Sequence, residues 1–111
     1  MDRVYGADVP TFEPIDGVQL SMLASGDRVN VQHYVIEPGA TIPRHSHPHE
    51  QLGYLVRGQL VFLVDDGEYP VDAGGSYSFG TDEPHGAANR GDDPAEGIDI
   101  FSPPRADPDW A

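Results

Sequence analysis

The sequence predicts an all-β protein, a β-sandwich or β-barrel formed by one domain over residues 1–111. Apolar and polar residues alternate in short runs, as they do in strands that bury one face. The chain contains 13 Gly and 11 Pro, spread between these runs, which suits many short strands joined by tight turns. No stretch has the 3.6-residue apolar periodicity of a helix. A chain of 111 residues forms a single core, so no second domain is expected.

The strands can be placed in order along the chain. Residues 1–17 are expected to form an extended arm with one edge strand at most. The next strands are predicted at 18–24 and 29–36 (as a hairpin), 51–56, 59–64, 68–71, 76–79, 87–89 and 97–101. Pro43 and Pro48 predict an irregular rim before residue 51, because proline disrupts a central strand. Residues 102–111 are expected to form an acidic tail on the surface.

Charge and composition exclude several classes of function. The net charge is −13, and all six basic residues are Arg. Such a surface repels nucleic acid and anionic membranes, and no apolar run approaches the ~20 residues of a membrane span. The start of the chain has no secretory signal, so we expect a cytoplasmic protein. The acidic, Lys-free composition is typical of halophilic proteins, although an acidic protein from a low-salt organism has the same charge.

The segment from Gly39 to Gly58 gathers three of the five histidines. His45 and His47 form an H-x-H pair, which on extended backbone directs both rings to the same face. Neutral imidazole is the commonest metal ligand in proteins, and the absence of cysteine leaves only N and O ligands. H-x-H by itself is a weak signal, because two solvated histidines give the same pattern. His33 is interpreted as a strand residue at a polar edge, and His49 as a solvent-facing or second-sphere residue.

Two motifs with defined spacing strengthen the interpretation of these histidines as metal ligands. The first is G-x5-H-x-H-x3-Q-x6-G over residues 39–58, and the second is G-x5-G-x-D-x2-H-x3-N over residues 74–89. The pair resembles the two motifs of the cupin family. Cupins have Glu, Pro and Gly where this chain has Gln51, Gly80 and Asp82.

The resemblance implies a single antiparallel β-barrel of the jelly-roll type that binds one divalent metal ion. The matching positions are His45, His47, Gln51 and His85, and such a set accepts Zn, Ni, Mn, Fe or Co. A neutral amide in place of a carboxylate leaves more positive charge on the ion, which favours an anionic substrate. The alternative is that Gln51 marks a degraded barrel without metal.

Two further segments resemble the small cupins of the KdgF type from pectin and alginate breakdown. The first is HPHEQLGYLVRGQ, which begins with His47 and Pro48, and the second is IDIFSPPR, which ends at Arg105. The resemblance implies functional roles for Asp99, Phe101 and Arg105. The residues fit such roles: Asp99 and Phe101 share one strand face, and an inward Asp is costly unless it belongs to a site. The alternatives are that Asp99 is exposed on an edge strand and that Arg105 pairs with an acidic side chain on the surface.

Three functions are compatible with this pattern. The first, implied by the KdgF-type resemblance, is conversion of cyclic 4,5-unsaturated uronates to linear keto uronates. The second is a metal-dependent dioxygenase that uses the same ligands with a redox metal. The third is a cupin that binds a sugar acid without turnover. In each case the partner is a small anion, and a homodimer paired through the N-terminal arm is expected, as in many small cupins.

Overall fold

The computed structural model describes residues 1–107, which form ten strands and one short 3₁₀ turn at Gly6–Asp8. The strands are β1 Thr11–Ile15, β2 Val18–Ser25, β3 Asn30–Ile36, β4 Thr41–His45, β5 Glu50–Arg57, β6 Gln59–Val64, β7 Gly67–Asp72, β8 Ser76–Phe79, β9 His85–Ala88 and β10 Ala95–Ser102. The prediction of an all-β chain is confirmed. Across these residues we find no helix with the length and apolar character needed to cross a bilayer.

The strands form two antiparallel sheets that enclose the core. The larger sheet has the order β1-β2-β3-β10-β5-β8, and the smaller has the order β4-β9-β6-β7. Within residues 1–107 no strand pairing joins the two sheets into a continuous ring, so the barrel is a double-sheet jelly roll. The predicted hairpin is β2 and β3, which pair from Val18 opposite Ile36 to Ser25 opposite Asn30.

Period-two burial decides which residues reach the interior. In β3 the buried residues alternate from Asn30 to Ile36, and in β10 they alternate from Ala95 to Phe101. One end of the barrel is filled with apolar side chains: Val18, Leu20, Tyr34, Ile36, Leu55, Leu60, Phe62, Phe79, Ala87 and Ala95. The other end carries buried polar side chains instead: Asn30, Gln32, His47, Gln51, His85, Asp99 and Arg105. Burial of so many polar groups marks this end as the site.

The prolines within strands all lie at sheet edges. Pro14 is in β1, Pro43 is in β4 and Pro70 is in β7, and each of these strands has only one neighbour. A proline has no N–H to donate to a ladder, so an edge strand tolerates it. An irregular rim was predicted around Pro43, but the chain forms an edge strand there, and its pairing with β9 shifts register between Ile42 and His45.

A left-handed glycine carries the chain from one sheet to the other. Gly58 has φ +83° between β5 and β6, which belong to different sheets. A Cβ at this position would lie 2.5 Å from the carbonyl oxygen of Pro94, so the close approach also requires glycine.

Near each end of the described chain, a segment packs against the barrel and does not extend freely over its surface. Within residues 1–17, β1 pairs with β2 of the same chain, from Thr11 opposite Ser21 to Ile15 opposite Val18. At the other end, Arg105 is buried although Ala106 and Asp107 are exposed. The expected acidic tail at 102–111 thus begins by folding back into the barrel, and its residues 108–111 lie outside the described part of the chain.

Candidate metal centre and active site

The structure brings the side chains of His45, His47, Gln51 and His85 together at the polar end of the barrel. His45 ends β4, His85 begins β9, and the two residues face each other across the β4–β9 ladder. The ligating atoms of the three histidines all lie within 4.8 Å of one another. The Gln51 Oε1 atom lies 3.1 Å from His47 Nε2 and 3.2 Å from His85 Nε2.

Backbone carbonyls orient all three imidazole rings. The Nδ1 atoms of His45, His47 and His85 lie 2.9, 2.9 and 2.8 Å from the carbonyl oxygens of Pro43, His49 and Glu83. A carbonyl only accepts hydrogen bonds, so each Nδ1 carries the proton and donates it. In the neutral ring Nε2 then bears the lone pair. This is the arrangement of a histidine prepared to bind a metal through Nε2.

The convergence of lone pairs fits a cation. Burial, the largest effect, lowers the pKa of His85 to about 4, so its ring is neutral at pH 7. The lone pair of Nε2 therefore points at the Gln51 oxygen, which is also an acceptor. A bound cation would be shared by these two acceptors and would remove their repulsion. Three imidazoles and one amide oxygen fit a divalent transition metal or zinc.

The loop before His85 links the two segments that carry the candidate metal ligands. Asp82 has φ +62°, a left-handed conformation that aspartate tolerates better than most residues. This is the position where cupins have glycine, so the backbone requirement explains the family pattern. The Asp82 N–H donates to the His47 carbonyl over 2.8 Å and links the two motifs.

Asp99 lies inside the barrel on β10, with only 7% of its surface exposed. Phe101 shares its face and is fully buried, as the alternation along β10 predicted. The alternative of an exposed edge Asp is excluded, because β10 lies between β3 and β5. Burial raises the pKa of the Asp99 carboxyl to about 6, while hydrogen bonds from Tyr77 and Gln51 and the charge of Arg105 oppose this rise.

The two ends of the Gln51 amide serve different neighbours. Its oxygen faces His47 and His85. Its side chain also hydrogen bonds to Asp99, and because a carboxylate only accepts, the donor in this bond is the amide NH₂. A glutamate here would place a second carboxylate against Asp99. The neighbouring Asp99 thus gives a physical reason for Gln51 in place of the usual cupin glutamate. Glu50 is exposed on the opposite face of β5.

Arg105 is buried to 95% and reaches into the same cavity. Its guanidinium carbon lies 3.9 Å from the centre of the Phe101 ring, and one terminal nitrogen lies 3.4 Å from Gln32 Oε1. Asn30 fixes its backbone, donating to the Arg105 carbonyl over 2.8 Å and accepting from its N–H over 3.1 Å. Arg105 is therefore a buried side chain and not a surface residue, as the alternative required.

The family of the chain follows from its motifs, its fold and a direct comparison. The family model for the cupin domain matches residues 32–101, which contain both motifs and all four residues of the candidate metal cluster. The chain is a cupin. Among curated proteins, it is 31% identical over 67 residues to the H2HPP isomerase of Bacillus subtilis, across 60% of this chain. The chain spans only 28% of the length of that relative.

Solved structures share the fold of this cupin over nearly the whole chain. KdgF from Halomonas sp. has a TM-score of 0.86 at 23% identity, with 95% of this chain and 96% of that one covered. An RmlC-like cupin from Shewanella frigidimarina has a TM-score of 0.86 at 26% identity, with 95% and 93% covered. The polyketide cyclase RemF from Streptomyces resistomycificus has a TM-score of 0.83 at 20% identity, with 96% and 82% covered.

The cavity of the cupin is narrow. Its volume is about 40 Å³, and His45, Gln51, His85, Asp99 and Arg105 are among its lining residues. Since one water needs about 10–15 Å³ on this scale, the cavity admits roughly three water-sized groups.

The remaining histidines lie outside the cluster. His33 is half-buried on the outer face of the larger sheet, with Nε2 2.7 Å from Glu96 Oε2. Its surroundings are polar, as predicted, but its strand β3 lies between β2 and β10 and is not at a sheet edge. His49 is partly buried behind the cluster, where its carbonyl accepts the His47 Nδ1 proton. This second-sphere contact agrees with the role expected from its sequence position.

Sequence reasoning did not identify Tyr34 or Tyr77, which also line the cavity. Tyr77 donates to the Asp99 Oδ1 atom over 2.6 Å, and the hydroxyls of Tyr34 and Tyr77 are 3.0 Å apart. The available signal was Gly53 and Gly97, two glycines in the middle of apolar strands, where glycine is unfavourable unless something approaches closely.

Proposed function

We propose that this cupin is a metal-dependent enzyme that converts cyclic 4,5-unsaturated uronates to linear 4-deoxy-5-keto uronates. One observation carries the proposal: the buried Asp99 carboxylate lies against the Gln51 amide, with Arg105 in the same cavity. The likeness to KdgF from Halomonas sp. over 95% of the chain supports it. The isomerase name of the Bacillus subtilis relative also supports it, because ring opening is an isomerisation.

Four residues would hold the ion: His45, His47 and His85 through Nε2, and Gln51 through Oε1. When bound, a divalent ion supplies Lewis acidity that polarises a substrate oxygen. The carbonyl partners of the three Nδ1 atoms keep the rings from turning away. Gln51 keeps the charge of the centre positive, so an acid substrate is attracted.

Asp99 is the residue that moves the proton. In the proposed reaction the C1 hydroxyl loses a proton, the bond between C1 and the ring oxygen breaks, and C4 gains a proton, so atoms are conserved. A carboxyl group with a pKa of about 6 can both accept and return a proton near neutral pH. Its burial and its hydrogen bonds keep it at one place beside the metal residues.

Arg105 binds the substrate carboxylate. The guanidinium is a planar fork whose geometry matches a carboxylate, and it stays charged at every physiological pH. Stacking on Phe101 sets the plane of the fork, while the contacts of Asn30 set its depth. Together these residues orient an acid with its carboxylate at Arg105 and its ring oxygen towards the metal residues.

An assay with paired Asp→Asn variants tests the proposal. Loss of absorbance from the conjugated C=C of an unsaturated monouronate is followed with the metal-loaded protein, and spontaneous opening is subtracted. Asp99→Asn should retain the fold and the metal while turnover falls by about 10²–10⁴. Asp92→Asn, which removes the same charge from an exposed loop, should leave turnover unchanged.

The outcomes separate the competing functions. If the wild-type protein gives no acceleration with Zn, Ni, Mn, Fe or Co, the ring-opening function is wrong. Oxygen uptake with an Fe(II)-loaded sample would then favour a dioxygenase, and uronate binding without turnover would favour a binding protein. If Asp99→Asn is fully active, the function stands but another group moves the proton.

We also propose that the chain forms a homodimer. Val4 and Tyr5 in the N-terminal arm are exposed, and Leu52, Tyr54 and Val56 form an exposed apolar row on the outer face of β5. Light scattering should give twice the chain mass. Deleting residues 1–5 tests pairing through the arm, and Tyr54→Glu tests pairing through the sheet; a monomeric wild type would contradict both.

A further inference from the structure

A chain of hydroxyl groups ends at the carboxylate of Asp99. The Tyr77 hydroxyl donates its single proton to Asp99 Oδ1 over 2.6 Å. Its proton is therefore not available for the Tyr34 oxygen, which lies 3.0 Å away. Tyr34 must be the donor in that second bond, so the direction runs from Tyr34 to Tyr77 to Asp99. Successive donors polarise one another and strengthen the final bond to the carboxylate.

Two glycines make room for this chain. Gly53 pairs with Tyr77 on one side and with Asp99 on the other, so it lies between them in one row across β8, β5 and β10. A Cβ at Gly53 would lie 2.0 Å from Tyr77 Cζ. A Cβ at Gly97 would lie 2.5 Å from the Tyr34 hydroxyl oxygen. The tyrosines cross over these two positions, and a Cβ at either one would force the tyrosine side chain to move.

Aromatic packing fixes the ring of Tyr77. The Phe62 ring centre is 4.3 Å from it and the Phe79 ring centre is 5.7 Å from it. Phe79 in turn stacks on His85 at 4.1 Å. The ring therefore belongs to the rigid apolar end of the barrel, while its hydroxyl reaches the polar end. This is how the core can hold a carboxylate at a defined place.

We propose that Tyr77, oriented by Tyr34, is a positioning residue that holds Asp99 for proton transfer. This inference rests on the proposed ring-opening function. Burial, and then the charge of Asp99, raises the pKa of both tyrosines, so each keeps its proton and neither exchanges it with the substrate. Tyr77 donates to Asp99 Oδ1 and, together with the amide of Gln51, keeps the Asp99 carboxylate from rotating while it acts on the substrate.

The chain offers a matched control. Tyr69 also donates to an aspartate, Asp66 Oδ1, over 3.2 Å, but the pair is exposed on the outside of β7. Tyr77→Phe and Tyr69→Phe each remove one Tyr–Asp hydrogen bond and no carbon atom. Only the first removes it beside the candidate metal centre.

The experiment compares the wild type with Tyr77→Phe, Tyr34→Phe and Tyr69→Phe. Metal content, kcat and KM for a 4,5-unsaturated monouronate, and the proton NMR signal of a slowly exchanging hydroxyl are measured for each. In Tyr77→Phe we expect unchanged metal content, a kcat lower by about 10–100-fold and a KM within about twofold. Tyr34→Phe should lower kcat by less than about tenfold, and Tyr69→Phe should match the wild type.

The NMR signal separates failure of this inference from failure of the proposed function. A buried hydroxyl bonded to a carboxylate should give a downfield resonance that disappears in Tyr77→Phe, moves upfield in Asp99→Asn, where an uncharged amide oxygen is the acceptor, and persists in Tyr69→Phe. Wild-type kcat in Tyr77→Phe, or loss of its metal, overturns the positioning role. If the wild type has no turnover, the proposed function fails, and a resonance that survives Tyr77→Phe overturns the hydrogen-bond assignment itself.

Discussion

Replacing Gly53 with alanine should destabilise the fold by displacing one side chain, that of Tyr77. Gly53 lies in the middle of β5, where alanine has no backbone difficulty, so the effect comes from the added methyl group alone. That methyl would lie 2.0 Å from Tyr77 Cζ and 2.3 Å from the Tyr77 hydroxyl oxygen. Ordinary carbon contacts are about 3.5–4.0 Å, so the ring must move by about 1.5 Å or more.

The size of the effect follows from two losses. Overpacking of a well-packed core costs about 1–3 kcal/mol. A ring shift of about 1.5 Å also breaks the Tyr77–Asp99 hydrogen bond, and a bond to a charged group contributes about 1.5–3 kcal/mol. We expect Gly53→Ala to lower the free energy of unfolding by about 3–5 kcal/mol in total. For a domain of this size the thermal midpoint should fall by roughly 15–20 °C.

Thermal unfolding followed by circular dichroism measures this shift. Gly6→Ala is the matched control, because a Cβ at Gly6 would meet nothing within 4 Å. A second comparison repeats Gly53→Ala in a Tyr77→Ala background, where the methyl group has no ring to displace. There the substitution should cost less than about 1 kcal/mol, which gives a strong coupling between the two sites. An equal loss in both backgrounds, or no loss in either, would refute the packing argument.

Two other predictions concern charge. Gln51→Glu should retain or tighten the divalent ion but weaken binding of a uronate, because it adds a negative charge beside the ion and Asp99; calorimetry with a uronate measures this, and unchanged uronate affinity would mean that Gln51 does not face the ion. Folding should be stabilised as KCl rises from low to molar concentration, because 13 net negative charges repel one another and the screening length at 1 M is only about 3 Å. A thermal midpoint that stays level or falls would count against the salt-adapted interpretation of the composition.

Local signals accounted for most of the fold. The strands β6 and β8 were predicted with the bounds they have, and β2, β3, β5, β7 and β10 differ from their predicted bounds by one or two residues. Alternation along the chain is enough to place such strands. β4 was not predicted, because Pro43 argues against a central strand and the sequence does not reveal which strands lie at an edge.

The residues of the candidate site were predictable only where the spacing of a sequence motif identified them. The H-x-H pair and the second motif located His45, His47 and His85, which the structure brings within 4.8 Å. The contacts of Asp99 depend on register between strands distant in sequence, so Tyr77 could not be paired with it from the sequence. A functional role was predicted for Arg105, but its burial was not, because the contact with Asn30 spans 75 residues. Long-range pairing of this kind leaves no local pattern.

Metal analysis tests the centre itself most directly. Elemental analysis of the purified protein, before and after incubation with Zn²⁺, Ni²⁺ or Mn²⁺, should find close to one divalent ion per chain. His47→Ala should lose that ion, because His47 Nε2 lies within the ligand cluster. His33→Ala, which removes a histidine bonded to Glu96 on the outer face, should keep it. Absence of metal from the wild type under every condition, or equal metal content in both variants, would contradict the assignment of the centre.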